Sequence, residues 1–487
     1  MRVVWIAAWI AAWIAIPAYG QEGQKEDEDI RKELEELRKE VKELREWKDS
    51  MDRRANQTGE RRSPPQEAAK GIADDFEAPP PPREPRIELP RSLRLSISGE
   101  NRSRFEYMSR VYSPANPDGR ERFDFTHMRT RLRFDFEVEE DIDAIVELQD
   151  VRTWGDEGST IADAEGVDLK RGVIVLRNLF DQPLSLEVGR FVLSYGDQRV
   201  IGALEWFDQG RTYDGFRMSY DWEEGYVDFF GTRIEDDATG DIDEQDLLGV
   251  YAGVDSLVGD VSGEAYTILY RDQERRMGEN DLGSTQYFTF GTRLFGKTGP
   301  FDYTGEIAAQ RGEVRDDDLT AWAFAVKGGY TVEEASWKPR FGVEVDYASG
   351  NDDPTDGDTE TFQTLLPTNH LHYGYIDLVA WSNILAFRGS VEVRPAEKLL
   401  VTLDYHHFRL DDEEGGWMNA GGATIRPGAN GASKDLGDEI DLQLTWDATD
   451  SLSLLAGWAH FFAGDFVSDT GNDTDADFLY LQAHLRF

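Results

Sequence analysis

The spacing of apolar residues changes once along the chain. From Asp29 to Ser50 (DIRKELEELRKEVKELREWKDS) the apolar positions are Ile30, Leu34, Leu37, Val41 and Leu44, with Met51 in phase. Steps of four and three residues form a heptad seam, which predicts a helix within residues 21–58. Glu28–Lys32 and Glu35–Lys39 add opposite charges one turn apart. So short a helix is marginal alone, so the seam implies a homo-oligomer, dimer or trimer, through residues 30–51. A lone charged helix is the alternative. Pro64, Pro65, the run Pro79–Pro82, Pro85 and Pro90 then make residues 59–90 an extended linker.

After Pro90 the period becomes two. Leu93, Leu95 and Ile97 alternate with Arg94, Ser96 and Ser98. More clearly, Met128, Thr130, Leu132, Phe134 and Phe136 face one way, and Arg129, Arg131, Arg133, Asp135 and Glu137 the other. Eighteen such segments run from 93–107 to 476–487. Some links are short, as at Glu139–Asp141, Trp222–Gly225, Pro395–Lys398 and Ala448–Ser451. Others are long and mostly acidic: Ser113–Arg122, Thr153–Asp168, Tyr195–Tyr213, Gly350–Ser382, Asp411–Gly437 and Gly464–Ala476. The pattern predicts an all-β fold over 91–487, an 18-stranded antiparallel transmembrane β-barrel with both ends on the short-turn, periplasmic side. A soluble β-sandwich would not keep one face so charged through every strand. Arg129 on the lipid face would cost ~2–4 kcal/mol at the midplane, so the register follows.

The N-terminus sets the destination. Met1 and Arg2 precede an apolar run, Val3–Ile16, and the small-residue site Ala18-Tyr19-Gly20, so residues 1–20 read as a signal peptide. The run is too short to span a membrane comfortably. The barrel is therefore expected in the outer membrane of a Gram-negative-type cell. Composition sharpens this. With 96 acidic and 52 basic side chains in 487 residues, the net charge is −44, which argues against a nucleic-acid partner. Cysteine is absent, which removes disulfides, thiol nucleophiles and thiolate metal sites. Acidic runs such as Asp316–Asp318, Asn351–Glu360 and Asp411–Glu414 fall in the expected external loops. There they would face outer-membrane lipid and lipopolysaccharide, bridged by divalent cations such as Ca2+ or simply solvated. No segment fits an EF-hand, and no other cofactor is implied.

The inward positions are basic for so acidic a chain. Arg102, Arg104, Arg129, Arg131, Arg133, Arg217, Arg233, Arg388 and Arg486 qualify by phase or by nearness to strand ends. Arg190 shares parity with Leu186 and Val188, and faces inward only if Gly189 marks a bulge. Carboxylates including Glu100, Glu147, Glu344, Asp346 and Asp404 are also expected inside, so internal ion-pair ladders compete with a permeant anion as the reason for the arginines. Segment 195–217 is rich in Gly, charge and aromatics: Asp197, Arg199, Glu205, Trp206, Asp208, Arg211, Tyr213, Asp214 and Arg217. It reads as an inward constriction or as an external cap, with Trp206 and Tyr213 available to stack on sugar faces.

Three stretches carry a more specific resemblance: VELQDVRTWGDEGS (Val146–Ser159), LEVGRFVLSYGDQRVIGALEWFDQGRTYDGFRMSY (Leu186–Tyr220) and PTNHLHYGYIDLVAW (Pro367–Trp381). They resemble the alginate-export family of outer-membrane barrels over roughly Leu93–Phe487. The resemblance implies a monomeric 18-stranded barrel whose arginine-lined constriction passes an anionic uronate polymer. It carries the family's basic positions onto Arg129, Arg131, Arg152, Arg190 and Arg217, with Asp150, Asp197 and Asp214 as acidic companions. The heptad helix and linker depart from that pattern.

No nucleophile elbow, Walker motif, zinc-protease motif or dinucleotide fingerprint is present, so the chain reads as a channel and not an enzyme. The leading expectation is a porin for anionic oligo- or polysaccharide. The alternative is a general diffusion porin, or a structural protein tied by its helix to peptidoglycan or a periplasmic partner.

Overall fold

The computed structural model describes residues 93–487 apart from 120, 157–165, 236–243 and 280–281. The expected signal peptide, heptad helix and proline-rich linker lie outside the described residues. The first nine barrel strands are β1 (Arg94–Met108), β2 (Phe123–Glu139), β3 (Ile142–Thr153), β4 (Asp168–Leu176), β5 (Leu184–Phe191), β6 (Tyr213–Trp222), β7 (Gly225–Glu235), β8 (Gln245–Val258) and β9 (Val261–Met277). The second nine are β10 (Leu282–Thr298), β11 (Phe301–Val314), β12 (Asp317–Thr331), β13 (Arg340–Ala348), β14 (Ile384–Ala396), β15 (Leu399–Arg409), β16 (Asp435–Asp447), β17 (Leu452–Ala463) and β18 (Ala476–Arg486). Each pairs antiparallel with its neighbours in sequence, and β1 pairs with β18 from Glu100↔Arg486 to Met108↔Phe478. The sheet is therefore closed, which leaves no barrel edge unpaired.

The faces are inverted relative to a soluble protein. Ile97 is 57% and Val343 69% exposed, whereas Arg129 is 2% exposed. An apolar exterior of this extent belongs against lipid, and the charged positions fill the lumen. The expected phase of β2 holds, since Arg129 and Arg131 are buried inside.

One rim carries short turns and the other long loops, with an exception. The acidic run at 316–318 is not a loop. Arg315 and Asp316 alone join β11 to β12, with φ of 57° and 70°, and Asp317 and Asp318 already pair with Val314 and Glu313. Two successive positive φ values match the twist of a tight hairpin.

Two long loops, 192–212 and 349–383, fold into the barrel. Small inward side chains on β11–β14 make room for the second: Ala308, Ala321, Ala323, Ala325, Ala348 and Ala386 are all buried. Phe362, Tyr373 and Trp381 of that loop pack among them in the lumen core. Gln310 on β11 holds it in place, donating to the Gln363 carbonyl at 2.8 Å and accepting from the Gln363 amide at 2.7 Å.

Candidate permeation site

The loop after β5 crosses the lumen between walls of opposite charge. On the basic side, Arg102 donates to the carbonyls of Glu205 (2.7 Å) and Trp206 (3.1 Å) and to Asp208 Oδ1 (2.6 Å). Arg104 donates to the Trp206 carbonyl at 2.7 Å. On β2, Arg129 and Arg131 bind Glu205 Oε2 at 3.1 and 2.6 Å, and both also face Glu100. Lys170 on β4 donates to the Gln209 carbonyl at 2.7 Å. Five cations on alternate positions of three strands thus clasp residues 205–209. Gly210 permits the fit: its φ is +62°, and a Cβ there would lie 2.7 Å from Lys170 Nζ and 3.1 Å from an Arg131 nitrogen.

Charge in this clasp is locked. Burial pushes the Glu205 and Asp208 carboxyls up, but Arg131 and Arg129 hold Glu205 below the ordinary range. His127, Arg104 and Arg102 do the same for Asp208. Both carboxylates are ionised where they sit.

The other end of the loop presents a cation to a wall of carboxylates. Arg199, its side chain 1% exposed, binds Glu344 closely, Asp346 at 3.2 Å and Asp197 at 3.5 Å, and donates to the Tyr373 hydroxyl at 2.9 Å. Burial opposes its charge, but Asp346, Tyr373, Glu344 and Asp197 hold its proton well above the usual guanidinium value. Lys327 pairs with Asp197 at 3.0 Å. His372 donates from Nε2 to the Asp197 carbonyl (2.9 Å), and burial, with Arg199 beside it, lowers its pKa to about 3. It is neutral.

The two inward loops are sewn together. The Gly202 amide donates to the Leu366 carbonyl at 2.8 Å, Leu366 to Val200 at 3.0 Å and Thr368 to Gln198 at 2.9 Å. Arg211 caps the seam through the carbonyls of Gly202 (3.0 Å), Pro367 (3.1 Å) and Leu366. A Cβ at Gly202 would sit 2.2 Å from Thr368 Oγ1, so no other residue lets the loops approach this closely.

Two cavities flank this plug. One, about 640 Å³, is lined by Arg102, Arg129, Arg388 and Arg486, by Glu100 and Glu205, and by His370, His484, Trp206 and Tyr375. Four guanidiniums there face two carboxylates. The other, about 270 Å³, lies against Tyr270, Tyr287 and residues 363–366. Segment 363–371 is the partition between them, since its residues line both.

The expected site residues divide by face. Arg129, Arg131, Arg133 and Arg217 face inward, the last paired with Glu187 at 2.7 Å and Arg133 with Asp135 at 2.7 Å. Asp197, Trp206, Arg211 and Tyr213 lie with the plug or behind it. Asp150 and Arg152 pair at 2.7 Å opposite Thr130 and Met128, on the outer face. Arg190 and Asp214 also pair at 2.7 Å, in line with the exposed Val188 and Phe216. The ladder runs through Gly189 without a register shift, so the bulge that would turn Arg190 inward is absent. Arg233 joins Asp246 and Arg271 on the same outer face. These five are corrections, and alternation of the backbone is the reason.

Neither expected stacking ring offers a free face. Trp206 is sandwiched between the Arg104 guanidinium (4.0 Å) and His370 (3.8 Å), and Tyr213 is 2% exposed. The sequence reading also missed Lys170 and the inward fold of 349–383; the alternating alanines of β11–β14 were the one signal for the latter.

A closed 18-stranded barrel with an apolar exterior and a charged, loop-crossed lumen is the architecture of an outer-membrane porin, and that membrane is where the protein resides. The chain belongs to the alginate export family, whose model matches residues 93–480. Among solved structures it is similar to OccK11 (OpdR) of Pseudomonas aeruginosa, with TM-score 0.51 and 13% identity, covering 80% of this chain and 96% of that one. OpdO of the same organism gives TM-score 0.54 and 13% identity, with coverage of 81% and 97%. OpdK, solved with vanillate, gives 0.51 and 11%, with coverage of 80% and 98%. At such identity the likeness shows the fold. No curated protein matches the sequence.

Proposed function

We propose that the barrel is a selective conduit for anionic oligo- or polysaccharide of the uronate type. The observation that carries this reading is the 640 Å³ cavity, whose lining gathers four arginines and two carboxylates. Guanidiniums there replace part of the water around a permeant carboxylate, and in a narrow lumen they are less screened than the loops outside. The overall charge of −44 does not decide selectivity, because the field at the constriction does. A lumen crossed by two loops speaks against general diffusion. The reading assigns no chemical step and needs no cofactor.

Liposome swelling tests it. Vesicles carrying the full-length protein should admit a uronate trisaccharide faster than a neutral trisaccharide of equal length. Equal rates for the two would remove the charge basis of the proposal.

A further inference from the structure

The basic ladder is occupied, and what occupies it resembles the proposed cargo. Glu205 and Asp208 are carboxylates three residues apart on one strand of chain, seated on Arg102, Arg129 and Arg131. The carbonyls of Glu205, Trp206 and Gln209 take further donors from the same wall. A polyanion laid along β1 and β2 would make the same contacts. The clasp is open to competition on one side, since the Glu205 side chain is 42% exposed and borders the 640 Å³ cavity together with Arg102 and Arg129. Gly202 and Gly210 bound the clasped segment, the second in a left-handed conformation; release of 203–209 breaks the amide bonds of Ala203 to Gln198 Oε1 and of Leu204 to Thr368 Oγ1, both 3.1 Å, while 195–201 stays pinned by Arg199.

We infer that residues 203–209 act as an internal pseudo-ligand, displaced from the arginine ladder when the carboxylates of an anionic saccharide compete for it. The inference rests on the anionic-saccharide reading and adds its regulation. Exchange of one carboxylate for another leaves no guanidinium bare, so the clasped and displaced states differ little in ion pairing. A neutral sugar offers no such exchange, and a ligand shifts an equilibrium only by its differential affinity for the two states. Selectivity would then reside partly in opening.

The absence of cysteine makes the test direct. In full-length protein carrying Ala203→Cys, a buried position bordering the cavity, the rate of maleimide labelling reports displacement. A uronate trisaccharide should raise that rate ~5-fold or more, and a neutral trisaccharide should leave it unchanged. Adding Glu205→Gln and Asp208→Asn should give fast labelling with no saccharide present; heat-modifiable mobility on gels checks that each variant still forms its barrel. Labelling that is unchanged or slowed by the uronate would overturn the inference. If swelling still favours the uronate in that case, the conduit reading survives and only the displacement falls.

Discussion

The two ends of the crossing loop are held by different kinds of contact. At residues 205–209 five cations on β1, β2 and β4 share the work, many of them binding main-chain carbonyls. At 197–201 a single guanidinium, Arg199, gathers Glu344, Asp346 and Asp197. The basic end spreads its contacts over several cations, on carboxylates and carbonyls alike, whereas at the acidic end one guanidinium makes most of the contacts, with Lys327 helping at Asp197. Part of the wall charge on both sides is therefore spent on the loop.

The largest effect should come from Arg199→Ala. Removing Arg199 leaves Asp346 buried without its cation and Glu344 with Arg388 alone at 3.5 Å, at a cost of about 3–5 kcal/mol. Single-channel recordings should show a long-lived high-conductance state that the parent visits rarely. Arg199→Lys should restore the parent only in part, since an ammonium cannot span three acceptors in one plane.

Next in size is Gly202→Val. Its side chain meets Thr368 in the seam, and overpacking of this kind costs about 1–3 kcal/mol. Hydrogen exchange at Gly202, Leu366 and Thr368 should speed up while exchange in the barrel strands is unchanged.

Acid should loosen both ends. His372 is neutral in the docked loop, lowered to about 3 by burial and by Arg199. Below its ordinary value near 6.5 the undocked loop gains a proton that the docked loop refuses, so docking weakens as pH falls from about 6.5 toward 3. Glu205 and Asp208 are held below the ordinary range when docked, so they add stability above their undocked values and lose it as pH falls further. Labelling of Ala203→Cys, corrected for thiolate fraction, should therefore be faster at pH 5 than at pH 7. A slower rate would contradict the sign.

The smallest effect belongs to the outer face. Arg152→Ala and Arg190→Ala, each beside the loop-side end of its strand (Thr153 and Phe191), remove partly exposed pairs worth about 0–1 kcal/mol and should leave ion selectivity as in the parent. A shift in reversal potential with either variant would return these residues to the lumen.

That last pair shows what was legible in sequence. Alternation placed Arg129 and Arg131 inside and Ile97 outside, because lipid and lumen impose opposite demands on neighbouring residues. The same alternation put Arg190 with Val188 and Asp150 with Leu148, outward; family resemblance alone carried them inward, and parity was the better guide. The charged character of 195–217 was visible, and so was its candidacy as a constriction. Its partners were not. Arg199 meets residues about 145 positions away through packing that no local pattern encodes. The rings of Trp206 and Tyr213 carry the composition of a sugar platform, yet packing covers both.

The central claim is that the arginines gathered around the larger cavity, and not the acidic total, set the lumen's preference. Reversal potential across a planar bilayer in a KCl gradient measures this most directly, for the parent and for a variant with Arg129, Arg388 and Arg486 changed to Ala. Anion selectivity in the parent that falls toward neutral or cation preference in the variant is the predicted result. A cation-selective parent, or a triple variant with the parent's reversal potential, would contradict it.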